Sequence, residues 1–152
     1  MMSIVKNKVG IVSCSGEEIP EGTISRIATR IVLEKLRPEE TVTICLPLFL
    51  AGGEGERAFA RVFPTITVDG CEKRCAEIGT KKYSGRPAAT IVVTDILKKY
   101  PNLKLGHRDE LSAEEWEFTE NVAEELAMKV GEVLGNGKEL GGNGETCQKA
   151  ER

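Results

Sequence analysis

Four short runs rich in β-branched residues recur along the chain: "KVGIVSC" (8–14), "TVTICL" (41–46), "PTITVDG" (64–70) and "AATIVVTDI" (88–96). Each reads as a buried strand, and a helical stretch lies between each run and the next. "TISRIATRIVLEKL" (23–36) puts Ile24, Ile27, Ala28, Ile31 and Leu36 along one side, and Pro38 stops it. A Gly-rich loop and a short helix around 54–62 come after the second strand, and a helix over 72–82 after the third. Strands that alternate with helices need crossover connections, which favour a parallel sheet covered on both faces and right-handed crossovers. The expected class is therefore α/β: a three-layer α-β-α arrangement around a mainly parallel sheet of about four to five strands, Rossmann-like or flavodoxin-like.

The rest of the chain predicts a long C-terminal helix and a tail. Ser112 and Glu115 form a capping box before "AEEWEFTENVAEELAMKVGEVL", with Trp116, Val122, Leu126, Val130 and Val133 marking the buried side and Gly135 as its stop. The segment 98–110 reads as loop, with a short edge strand at 103–105. Residues 135–152 hold almost nothing apolar and are expected to form a flexible Gly-rich tail, leaving 1–134 as one α/β metal-binding domain.

A chain of 152 residues can bury one proper core. Its net charge of −3 offers no general attraction to nucleic acid or anionic lipid. No apolar run approaches the roughly 20 residues that span a bilayer. The start, "MMSIVKNKVGIVSCSG", lacks secretory character. The five cysteines are thus expected in a reducing compartment, the cytoplasm, where grouped thiols point to metal or redox chemistry rather than disulfides.

Cys14 ends the first strand, Cys45 the second, and Cys71 comes directly after the third. In a parallel sheet these ends share one edge, and both common doubly wound orders keep the first three strands contiguous. Adjacent strands lie about 4.8 Å apart, so the thiols fall in one patch. Cys75 stands four residues after Cys71, one helical turn beyond it and on the same face. Four such sulfurs suit a tetrahedral metal, and the helix N-terminus with Lys73 and Arg74 nearby is expected to favour thiolate. Cys147, in the polar tail, is read as an uninvolved thiol.

Other residues carry weaker signals. His107, the single histidine, reads as a solvated loop residue. Asp69 before Gly70 reads as a turn residue, with Gly supplying positive φ, and a supporting role toward the thiolates is the other option. Asp95 ends the fourth strand on the same edge and either faces the crevice or caps the next segment. Tyr83 and Trp116 read as packing. "VSCSG" resembles the opening of low-molecular-weight tyrosine phosphatases and arsenate reductases. Their phosphate loop needs arginine six positions after the cysteine, where this chain has Pro20. Glu17 and Glu18 would also repel phosphate, and no GxxxxGK is present.

"SCSG" (13–16), "CLPL" (45–48) and above all "VDGCEKRCA" (68–76) resemble the DGC-domain family, over roughly residues 8–97. The cysteines of these segments are taken as the family's zinc ligands, which implies Cys14, Cys45, Cys71 and Cys75 here. The resemblance supplies zinc but no substrate or reaction. The expected function is a small cytoplasmic zinc-binding protein with an accessory or metal-handling role and a protein partner left open. The alternatives are a sulfur-transfer or redox protein using the same thiolates, and an iron–sulfur site.

Overall fold

Val9–Ser13 (β1), Thr41–Thr43 (β2), Thr65–Asp69 (β3) and Ala89–Val92 (β4) form one sheet in the order β2-β1-β3-β4. The computed structural model describes residues 7–141. Every pairing is parallel: Val9 stands opposite Thr41, Gly10 opposite Thr65, and Asp69 opposite Val92. This is the flavodoxin-like order, with β1 in the interior and β2 and β3 on either side of it. The α/β class, the parallel sheet and helices on both faces agree with the sequence pattern.

The helices divide unequally between the faces. On one side lie α1 (Pro20–Ile31), α6 (Val93–Leu97) and α7 (Ala113–Gly141). Ile24, Ala28, Val32, Val122, Leu126 and Val130, all fully buried, meet Val9, Ile11, Ile66 and Val68 there. On the other side lie α2 (Leu46–Ala51), α3 (Glu54–Arg57), α4 (Phe59–Val62) and α5 (Cys75–Tyr83). Their buried cluster is Val12, Leu46, Phe49 and Ala76, with Ile44, Leu50 and Phe59 packed at its margin.

Several boundaries differ from expectation. β2 stops at Thr43, and "LPLFLA" forms α2 with a proline in its first turn. A short apolar run cannot by its spacing alone be told from a strand, and proline at the start of a helix breaks no hydrogen bond. β4 stops at Val92, so Asp95 lies in α6 instead of ending the strand. Residues 103–105 form no strand; Leu103 and Leu105 instead pack on the core.

After Ile31, α1 widens into a π-helical turn over Val32–Leu36, with the Arg37 N–H bonded to the Val32 carbonyl at 2.8 Å. The wider turn breaks the 3.6-residue period, and Leu36 ends up exposed although Ile24 and Ala28 are buried.

The α7 capping box is present. Glu115 accepts the Ser112 N–H at 2.7 Å, and the Ser112 hydroxyl accepts the Glu115 N–H at 3.3 Å. Trp116, however, is exposed, and Phe118 is buried in its place, its ring 5.1 Å from that of Tyr100. At about 100° per residue Trp116 stands about 120° round the helix from Val122, off the stripe. Nor does Gly135 stop α7. It has no positive φ, and the helix runs to Gly141. The remainder of the predicted tail, Cys147 included, lies outside the described residues. No described helix is long and apolar enough to cross a membrane.

Candidate metal centre

The C-terminal edge of the sheet is held together by glycine. Gly16 has φ +74°, and a Cβ there would stand 2.5 Å from the Gly22 carbonyl oxygen. A Cβ on Gly70 would stand 2.6 Å from the Gly22 nitrogen. The β1–α1 loop, the start of α1 and the β3–α5 turn thus meet backbone to backbone, which any side chain at these glycines would prevent. Gly70 is required for this close approach and not, as the sequence suggested, for positive φ. The left-handed residue of the turn is Arg74, at φ 50°.

Cys14 extends the β1–β3 ladder by one bond, its N–H to the Val68 carbonyl at 2.9 Å. Its sulfur lies 3.0 Å from the buried Ser25 hydroxyl, which donates to the Gly22 carbonyl at 2.7 Å. Because the single Ser25 proton is engaged there, the thiol is the donor in the Cys14–Ser25 contact.

Cys71 lies outside the helix. It opens a turn closed by the Arg74 N–H to its carbonyl at 3.1 Å, and α5 begins only at Cys75. The helical spacing expected for this pair is therefore replaced by a turn, with Cys71 half-buried and Cys75 exposed. Asp69 organises the turn from below. Buried at 2% exposure, its carboxylate accepts the Ala76 N–H at 2.7 Å and the Glu77 N–H at 3.1 Å. It is therefore a cap on the start of α5, bonded to backbone N–H groups and not to a thiol. Arg74 reaches Glu77 at 3.1 Å and Asp95 at 3.7 Å, tying the turn to α6.

These contacts reverse the expected electrostatics. The first N–H groups of α5 already face the Asp69 carboxylate, and Arg74 faces two more acids. The Cys75 thiol is pushed up from its ordinary range, by partial burial first and then by Asp69, Cys71 and Cys14. Burial likewise raises Asp69, against the backbone bonds that favour its charged form. Glu77 is lowered by its hydrogen bond to Lys81.

Cys45 is the residue before α2, exposed, with its carbonyl accepting the Phe49 N–H at 3.0 Å. Its side chain is exposed and takes no part in the core. Cys14 and Cys45 line one crevice of about 430 Å³. The edge therefore brings Cys14 beside Cys45 on one hand and Cys71 and Cys75 on the other. All four are free thiols.

Asp95 is paired with Arg74 and Lys98. His107 is exposed, in a loop whose neighbour Arg108 donates to the Glu17 carbonyl at 2.8 Å. That link from Arg108 to the β1–α1 loop had no sequence signal, because the two lie 91 positions apart. Tyr83 packs against the Arg57 guanidinium, 4.8 Å from its ring centre.

The donors suit a soft metal in chemistry, and they share one edge. Among the described residues, however, no three His, Cys, Asp or Glu side chains stand close enough together to hold an ion. A family model, the DGC domain, matches residues 10–130. The chain belongs to the DGC-domain family. The match runs past the segments that carry the resemblance in sequence and takes in the 98–112 loop and most of α7. No curated protein and no solved structure matches the chain.

Proposed function

We propose that this DGC-domain protein binds one zinc ion through Cys14, Cys45, Cys71 and Cys75, in a metal-handling or accessory role in the cytoplasm. What supports the reading is that four free thiols, from three chain segments, follow adjacent parallel strands at the same edge of the sheet. A cation there would offset the burial and the neighbouring negative charge that raise Cys75, drawing protons off the thiols as it binds. No three of these side chains are grouped closely enough for one ion, so coordination would require the starts of α2 and α5 to draw in. Zinc would supply a fixed positive charge bridging the segments. The chain's own residues do the positioning: Asp69 holds the β3–α5 turn, Ser25 anchors Cys14, and the glycines bring the loops together.

The thiolate-enzyme reading has less support. A nucleophilic cysteine needs a depressed pKa, and Cys75 is displaced the other way. An iron–sulfur centre uses the same donor set and differs in colour. The test is thiol labelling of the full chain with and without zinc, with a chelator added last. Slow labelling of these four cysteines with zinc, and fast labelling after chelation, is the expected outcome. Rapid labelling of Cys71 or Cys75 in zinc-loaded protein would favour the thiolate reading, and a coloured purified protein the iron–sulfur one.

A further inference from the structure

Residues 106–112, irregular in backbone, lead into α7, and one buried carboxylate holds both ends of the run. Glu115 accepts the Gly106 N–H with one oxygen and the Ser112 N–H with the other, the latter at 2.7 Å. Leu105 and Leu111, beside those two ends, pack on the core. A short segment pinned in this way keeps little of a loop's conformational freedom. Its middle reaches the β1–α1 region through Arg108 at two points. The Arg108 carbonyl accepts the Thr23 hydroxyl at 2.9 Å, and the Arg108 Nη1 donates to the Glu17 carbonyl at 2.8 Å, while its Nε faces Asp109 at 3.5 Å. Thr23 is buried and has one proton to give; the Gly16 carbonyl, its other neighbour, stands farther off at 3.4 Å.

These two points lie on the two segments that hold Cys14. Glu17 is in the loop that leaves Cys14. Thr23 is in the first turn of α1, two residues before the Ser25 whose hydroxyl meets the Cys14 sulfur at 3.0 Å. The Gly16–Gly22 approach between the same segments is a packing contact, to which Arg108 adds directed bonds on both sides. We propose that the 106–112 segment is a clamp on Cys14, with Arg108 as a positioning residue that ties the β1–α1 loop to the start of α1 and Glu115 as the frame that keeps Arg108 in place. With the clamp released, the loop and the helix start separate more often, and the Cys14 thiol leaves Ser25. The clamp needs no metal. Its consequence for the ion rests on the zinc reading, in which Cys14 is the fixed ligand that sets where the ion sits while the starts of α2 and α5 close on it.

The experiment follows alkylation of each cysteine by iodoacetamide in the metal-free full chain, anaerobically and resolved by peptide mass, and measures zinc affinity by competition with a chelator. The variants are Arg108→Ala, Arg108→Lys and Thr23→Val, the last removing the hydroxyl while keeping the side chain's shape. Arg108→Ala and Thr23→Val should each speed Cys14 labelling about fivefold, as expected for loss of one hydrogen bond, and leave the already exposed Cys45 unchanged. Arg108→Lys should return the rate toward the parent's, because one N–H is enough for the Glu17 carbonyl. Arg108 is exposed, so its variants should melt with the parent, which separates the clamp from a general loosening of the fold. Zinc affinity should fall by a similar factor in Arg108→Ala. An unchanged Cys14 rate in Arg108→Ala, or a rise shared equally by Cys45, overturns the clamp. Faster Cys14 labelling in a protein whose parent binds no zinc leaves the clamp standing and removes the zinc reading. Faster labelling with zinc affinity unchanged overturns the link between the clamp and the ion.

Discussion

The two faces of the sheet are built to different standards. The α1–α6–α7 face buries a continuous apolar layer from Ile24 to Val133, whereas the α2–α5 face has a buried apolar cluster of four residues and helices of four to nine residues. The thiols are divided in the same way. Cys14 is anchored to Ser25 of the thick face, while Cys45 and Cys75 stand at the starts of α2 and α5 on the thin one. Stability therefore resides mainly on one side, and freedom to move ligands on the other. A short helix with few buried contacts opens locally at small cost, which the proposed zinc site would need.

The largest expected effect breaks the comparison if it fails. Leu126→Ala removes a fully buried side chain from the thick face and should cost about 3–5 kcal/mol, against about 2 kcal/mol for Leu46→Ala. Equal losses in chemical denaturation would mean that the faces are equally rigid. Next is the seam between them. Gly70→Ala forces a Cβ against the Gly22 backbone and should cost about 1–3 kcal/mol, while also lowering zinc affinity. An affinity loss without a stability loss would show that the turn, not the seam, is what matters.

A smaller effect concerns the thick face alone. Glu115 is buried, which opposes its charge, yet the Gly106 and Ser112 N–H groups outweigh burial and hold it below the usual glutamate range. A lowered folded-state pKa means its contribution is complete above the unfolded value of about 4.3 and fades as pH falls through the lower folded value. Glu115→Gln should therefore cost about 1 kcal/mol at neutral pH and less in acid, read from denaturation midpoints across pH. A constant difference would mean that charge is irrelevant to the cap. The least drastic test is hydrogen exchange. Zinc should slow exchange at the starts of α2 and α5 and leave α7 unchanged.

Legibility in the sequence divides along the same line. The strand positions and the α7 cap are readable because β-branched runs and a Ser–Glu spacing are local signals, strong over long periodic segments. The thin face is harder to read. "CLPLFLA" is too short for its period to show, so α2 reads as strand end and loop. The Cys71–Cys75 spacing looks helical, but Arg74 in the left-handed region delays α5 until Cys75. Most consequential is the sign of the electrostatics. A helix N-terminus near two cysteines suggests thiolate, yet Asp69, two residues before Cys71, already caps that terminus. Nothing in the spacing tells whether an aspartate folds under its own turn. The pairing of Cys14 with Cys45 in a crevice likewise depends on side-chain direction, which strand order leaves open.

In the proposed zinc site four thiols on one edge share one ion, two of them moving to do so. Zinc per chain is measured after gel filtration of the parent and of Cys14→Ser, Cys45→Ser, Cys71→Ser and Cys75→Ser. A serine hydroxyl is a poor substitute for thiolate, so the parent should retain close to one zinc and each variant distinctly less. Full zinc in all four variants, or none in the parent, would contradict the account.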